Sequence, residues 1–320
     1  MPSRVVSAVG SDMEVREQRC VDRAAAGLLL LVGVLGAIPA CGCRLPGIGN
    51  PVPDSVAAAR RYWQQGVAAM EQGEWAEAEA LLAEAVKTNP GDVEARRHLA
   101  TALRRRGAWA EAREHLDEAL RLAPDDATLR ATLAEVLLEL DLTELARQEA
   151  EYALDLDPRM AAGWAARGKV MWAIGDLRQA LADFQRGLGS APNDRELLSA
   201  VASLYHEMNQ PQRALAVLHQ LLDTYLPDEQ PAELLYEEGV AYHTLGRHEE
   251  ALASFHLAAQ RGEGSVKLFF HMAEAELFAG RYEDAARAAR EALARDPAHR
   301  PSQDLLDRLE LADRPGDLRR

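Results

Sequence analysis

The sequence predicts an all-α protein: a solenoid of seven antiparallel helix pairs closed by a C-terminal capping helix. Three observations predict it. The stretches KTNPGD, RLAPDD, DLDPRM and GSAPND place Pro90, Pro124, Pro158 and Pro192 34 residues apart. Small residues keep the same period at Ala78, Ala112, Ala146, Ala180 and Ala214, slip by three residues to Ala251 and resume at Ala285. Turn formers share that phase and that slip, at Gly73, Gly107, Asp141, Gly175, Asn209, Gly246 and Gly280.

Each column has a physical role. Gly, Asn and Asp enter the left-handed backbone region most cheaply, so the turn column ends one helix and reverses the chain. Two further columns flank it, small at every position but Leu221: Gly66, Ala100, Ala134, Gly168, Ala202, Gly239, Ala273 and Ala85, Ala119, Ala153, Gly187, Leu221, Ala258, Ala292. Antiparallel helices approach closely only where such side chains meet. Proline then stops the second helix, since inside a helix it costs about 3 kcal/mol or more. Each unit is therefore helix, tight turn, helix and Pro-bearing turn, with helices of roughly 12 residues spanning about 18 Å.

In chain order, residues 1–41 come first. Residues 24–40 read AAAGLLLLVGVLGAIPA, with Arg16, Arg19 and Arg23 before them and Cys41 after. The run is short for a membrane span, which needs roughly 20 apolar residues, and fits the apolar region of a signal peptide. Its end, Ile38-Pro39-Ala40-Cys41, resembles a bacterial lipobox, which implies lipidation at Cys41. The readings are a lipoprotein signal, a plain cleaved signal, and an uncleaved anchor or no targeting segment at all. The expected location is the bacterial cell envelope, lipid-anchored or periplasmic, with inner-membrane anchoring as the alternative. Residues 42–58 are rich in Gly and Pro and read as a flexible tether.

The seven pairs follow at 59–92, 93–126, 127–160, 161–194, 195–231, 232–265 and 266–299, the fifth being three residues longer. Leu99 and Leu103, then Leu116 and Leu120, fill the space around the small contacts of one pair. Pro211 is acceptable as the first residue of a helix. Residues 300–320 hold a final helix with Leu305, Leu306 and Leu309 on one stripe, which caps the open end of the stack.

The units RYWQQGVAAMEQGEWAEAEALLAEAVKTNPGD and RRHLATALRRRGAWAEAREHLDEALRLAPDD carry a pattern that resembles the tetratricopeptide repeat over about three quarters of the chain. Arg96 and Arg130 stand where that family favours Trp or Leu, and Thr143 and Pro211 where it favours an aromatic, so units three and five are expected to be looser. The resemblance implies a right-handed superhelix. Its inner groove is lined by the first helix of each unit and holds peptides or helices of partner proteins. Groove candidates are Trp63, Arg97, Thr101 and Arg104, then Glu135, Lys169, Trp172 and His206, then Tyr236, His243, Phe270 and Glu274. The N-terminal half of the groove reads as basic and aromatic. The C-terminal half is more acidic, with Glu196, Glu233, Glu237 and Glu274. A partner with an acidic-hydrophobic end and a basic end suits this division. The plainer reading is that Arg97, Arg104, Arg105 and Arg106 pair with neighbouring glutamates. One subclass grips C-terminal carboxylates with a Lys, Asn and Arg set. Here Trp63, Val67, His98, Thr128 and Thr132 stand at those places, which argues against that role.

Composition narrows the function. The formal charge of −15 argues against nucleic acid as a partner. Cys20, Cys41 and Cys43 all precede the repeats, so packing alone must hold the fold. There is no glycine-rich phosphate loop, paired-histidine zinc motif or nucleophile elbow. No cofactor, metal ligand or catalytic residue is expected. A metal carrier or enzyme built on His206, His243 and His271 is the weakest alternative, because a site needs three or four converging ligands. The expected function is a non-enzymatic protein-interaction scaffold, exported and lipid-anchored; the alternative is a membrane-anchored adaptor facing the cytoplasm.

Overall fold

The computed structural model describes residues 54–262 and 264–312. The apolar run, Cys41 and the tail after residue 312 lie outside the described residues. Fifteen α-helices follow one another with no strand among the described residues. The helix pairs are α1 Asp54–Glu71 with α2 Trp75–Thr88, α3 Val93–Arg105 with α4 Trp109–Leu122, and α5 Ala127–Glu139 with α6 Thr143–Leu156. Next come α7 Ala161–Ala173 with α8 Leu177–Ser190, and α9 Arg195–Glu207 with α10 Pro211–Leu222. The last pairs are α11 Ala232–Thr244 with α12 His248–Arg261 and α13 Val266–Phe278 with α14 Tyr282–Arg295, followed by α15 Arg300–Ala312.

The first helix starts earlier than expected. Residues 54–58, assigned above to the tether, form the first turn of α1. Asp54 sits in that turn, where its charge favours the positive end of the helix dipole, and the alanines that follow are strong helix formers.

All seven members of the turn column have positive φ, from 55° at Asn209 to 83° at Gly175. Each closes the same pair of backbone hydrogen bonds. At the first, Gly73 N–H reaches the Met70 carbonyl at 3.0 Å and Glu74 N–H reaches the Ala69 carbonyl at 2.9 Å. That is the double bond of a Schellman ending, which satisfies carbonyls left over at the helix terminus. At the proline-bearing ends, Asp92, Asp126 and Asp194 accept backbone N–H groups of the next helix, as in the 3.0 Å bond from Ala95 to Asp92. The three-residue slip falls in the loop after α10, which holds a 3₁₀ turn at Pro227–Glu229.

The small columns lie in the core. Ala78, Ala112, Ala146, Ala180, Ala214, Ala251 and Ala285 are all buried. Side-chain volume is traded across several of the pairs. A Cβ on Gly168 would lie 2.5 Å from the Phe184 ring, and one on Gly239 2.5 Å from Phe255. Phe184 and Phe255 are the two largest fully buried side chains. Where the column holds Ala100 or Ala202, the matching second-helix residues are Leu116 and Leu218, both buried. In these four pairs glycine makes room for a phenylalanine and alanine for a leucine, while in the first pair Gly66 makes room for Leu82. The final helix α15 buries Leu305 and Leu309, with Leu306 partly covered, against the seventh pair.

Candidate functional site

The first helices of the pairs carry every groove candidate. Relative to the Gly66 column, Trp63, Arg97, Tyr236 and Phe270 stand three residues before. Thr101, Glu135, Lys169 and Glu274 stand one residue after, and Arg104, Trp172, His206 and His243 four after. Offsets of four and seven along a helix share one face, so these residues form three parallel rows.

The N-terminal rows are tied together internally. Glu135 of α5 receives Arg104 from α3 and Lys169 from α7, the latter at 2.6 Å. Lys169 also meets Glu196 of α9. The four residues make one charged chain across four successive first helices. Burial works against a charged Glu135, but the Lys169 and Arg104 charges outweigh it and hold its carboxyl below the usual carboxylate range. Burial likewise opposes the Lys169 charge, and Glu135 more than restores it, raising that pKa. Arg104 keeps a buried Nε with no hydrogen-bond partner among the described residues.

The other arginines of this half are engaged too. Arg97 pairs with Glu94 one turn earlier, Arg105 stacks over the Trp75 ring at 5.2 Å, and Arg106 meets Glu79 at 2.9 Å. The Trp63 indole N–H points at His98 Nδ1, 3.1 Å away. That nitrogen also lies 2.9 Å from the Glu94 carbonyl. It can accept from Trp63 or donate to Glu94, one at a time. Trp172 donates its indole N–H to Glu207 at 2.7 Å and sets its ring edge-on to Phe184.

The C-terminal rows build an aromatic and histidine cluster. The Tyr236 ring lies 6.0 Å from Phe255 and 5.8 Å from His271. Phe270 packs beside His271 and sets its ring against His299 at 5.4 Å. His243 faces His248 with their Nδ1 atoms 3.2 Å apart, and His248 stacks on Phe278. His271 reaches Glu274 at 3.1 Å. Burial, helped by the neighbouring His248 and His271 and opposed by Glu274, lowers the His243 pKa. His206 is exposed on α9, within electrostatic range of Glu237.

His243, His248 and Phe278 act as one group, yet His248 and Phe278 were not among the sequence candidates. His248 begins a second helix, and Phe278 lies one residue past its row, so the groove register misses both. One other constellation lacks a serine–histidine contact. Glu238 sits between Ser254 at 2.7 Å and His219 at 3.1 Å. With the carboxylate in the middle, no histidine can take a proton from the serine. Among the described residues, no group of three or more His, Cys, Asp or Glu is placed to hold a metal ion. None of the described helices is long and apolar enough to cross a membrane.

The tetratricopeptide-repeat family model matches residues 63–127, 202–266 and 270–301, just over half of the chain. The chain belongs to the tetratricopeptide-repeat family. Solved structures agree in fold. This repeat protein superposes on YrrB, a TPR protein with an unusual peptide-binding site, with a TM-score of 0.53 and 20% identity over 59% of this chain and 96% of that one. PilF of Pseudomonas aeruginosa matches with a TM-score of 0.51 and 15% identity, over 80% of this chain and 99% of that one. No curated protein matches the repeat protein. The likeness to both structures is one of fold: a right-handed solenoid of stacked helix pairs.

Proposed function

We propose that this tetratricopeptide-repeat protein is a non-enzymatic scaffold that binds a peptide or helix of a partner protein along the groove formed by its first helices. The observation that carries this reading is the register of that face. Trp63, Trp172, Tyr236, His243 and Phe270 stand on it partly open to solvent, while the small columns behind them are closed in the core. Aromatic side chains held in fixed rotamers are the usual anchors of protein recognition. Peptide binding by the structurally similar YrrB supports the same use of the fold. Export and anchoring complete the proposal: residues 24–40 act as a signal, and Cys41 carries the lipid that holds the scaffold at a bacterial membrane.

Two measurements test it. Intact mass of the membrane-extracted protein is expected to show a chain beginning at a lipid-modified Cys41. A full-length chain would support the uncleaved, cytoplasm-facing adaptor instead. Crosslinking in the host followed by pull-down is expected to recover a defined partner, and a Trp63→Ala, Tyr236→Ala variant to lose it. Equal recovery by that variant would remove the groove from the proposal.

A further inference from the structure

We infer that the partner presents an Arg- or Lys-bearing segment, interspersed with apolar side chains, to the C-terminal half of the groove, across α9, α11 and α13. This rests on the groove reading proposed above and adds the partner's chemistry and its place on the face. The expectation of a partner with one acidic and one basic end gives way to a single cationic segment.

The N-terminal half argues first, by exclusion. Arg97, Arg104 and Lys169 each already face a carboxylate of the chain, namely Glu94, Glu135 and, for Lys169, Glu196 as well. An acidic segment would have to displace those carboxylates and leave Glu135 half-covered without its cations. Such an exchange gains little, because one ion pair replaces another.

The C-terminal half shows the opposite balance. Among the described residues, no Lys or Arg pairs with Glu207, Glu233 or Glu237. Among the described residues, Glu207 receives only the Trp172 indole N–H. Glu237 is half-buried, and the charges that reach it are those of His206 and Glu233. Burial, then repulsion from Glu233, raises its pKa despite His206. A cation placed there would relieve both effects.

Aromatic surface lies beside these carboxylates. Tyr236 is adjacent to Glu237 in the chain, and its hydroxyl makes no hydrogen bond among the described residues. Phe270 occupies the same row one unit on, and Phe278, at the end of α13, is 64% exposed. A guanidinium or ammonium group is held both by a carboxylate and by the face of an aromatic ring. Apolar side chains between the cations would lie on Phe270 and Tyr236. The net charge of −15 would draw such a segment in from a distance.

The test is fluorescence anisotropy with labelled peptides of equal length on the full chain: alternating Arg and Leu, alternating Glu and Leu, and alternating Ser and Leu. The Arg/Leu peptide is expected to bind, with affinity that falls as salt rises. A Glu233→Gln, Glu237→Gln variant is expected to weaken it about tenfold, about 1.4 kcal/mol. A Glu77→Gln, Glu283→Gln variant, which removes the same charge from exposed positions on second helices, is expected to leave binding within about twofold. Circular dichroism is expected to show that both variants keep the fold. Equal loss in the two variants would reduce the binding to bulk charge and overturn the inference. Tighter binding of the Glu/Leu or Ser/Leu peptide would overturn the cationic partner while leaving the groove reading in place. Binding of none of the three would overturn the inference, and an unaltered crosslinked partner in the Trp63→Ala, Tyr236→Ala variant would separately remove the groove.

Discussion

The Trp164 indole N–H donates a hydrogen bond to the Pro158 carbonyl, 2.9 Å away and six residues earlier in the chain. Arg130 makes the same reach to Pro124 and Arg96 to Pro90, each through Nε, at 3.1 and 3.0 Å. Gln303 repeats it onto Pro297 at the start of the capping helix. The arginines that depart from the family's Trp or Leu preference therefore provide the donor that Trp164 provides. They tie the first helix to the proline turn before it.

Replacing Arg96 with Met keeps the apolar stem and deletes the donor. Arg96 is buried, so the Pro90 carbonyl loses a partner that water replaces poorly. Urea denaturation of Arg96→Met is expected to show a loss of about 0.5–1.5 kcal/mol. An unchanged midpoint would mean that the bond does not hold the turn.

The Gly168–Phe184 contact predicts a coupled pair. Gly168→Ala puts a methyl into the Phe184 ring and is expected to cost about 1–3 kcal/mol. Phe184→Leu also costs stability in the parent chain, through the volume it removes. In the Gly168→Ala background the smaller Leu side chain leaves space for the new methyl, so the double variant is expected to be more stable than the sum of the two losses. Simple additivity in the double-mutant cycle would deny the contact.

The turn column separates backbone strain from crowding. Nothing lies within 4 Å of a Cβ built on Gly175, whose φ is +83°. Gly175→Ala is nonetheless expected to destabilise by about 1 kcal/mol, through the left-handed backbone alone. Asn209→Gly, at φ 55°, is expected to be neutral or slightly stabilising, and thermal melts of the two variants check both outcomes.

Stability should fall with pH in two stages. Burial lowers the pKa of His98, His115 and His243 below the ordinary 6.5. The unfolded chain then binds more protons than the folded one as pH drops below about 6.5, and stability declines there. Glu135 has its pKa depressed below the ordinary 4.5. Its contribution is present above that value and is lost as pH falls through the lower folded value. Chemical denaturation at stepped pH values is expected to show both declines. His243→Gln should shrink the first, and Glu135→Gln the second.

The turn column could be read from the chain because a left-handed backbone admits few residue types, and all seven positions use Gly, Asn or Asp. The small columns were legible for a similar reason, since close helix approach excludes bulk. The charged chain was only half legible. Arg104, Glu135 and Lys169 were each visible on the face, but Glu135 bridges residues 31 earlier and 34 later. Which partner a long side chain takes depends on the stacking of neighbouring units. The first helix starts by Asp54 rather than at residue 59 because no Gly or Pro follows Pro53 to stop a helix there. His248 was invisible for a different reason: it reaches the first-helix cluster from the start of a second helix.

The most direct measurement of the central claim is photo-crosslinking in the native host. A photoreactive phenylalanine analogue is placed at Tyr236, on the first-helix face, and in a separate chain at Arg287, exposed on a second helix. A discrete higher-mass adduct is expected from position 236 and none from position 287. Adducts from position 287 with none from position 236 would contradict it.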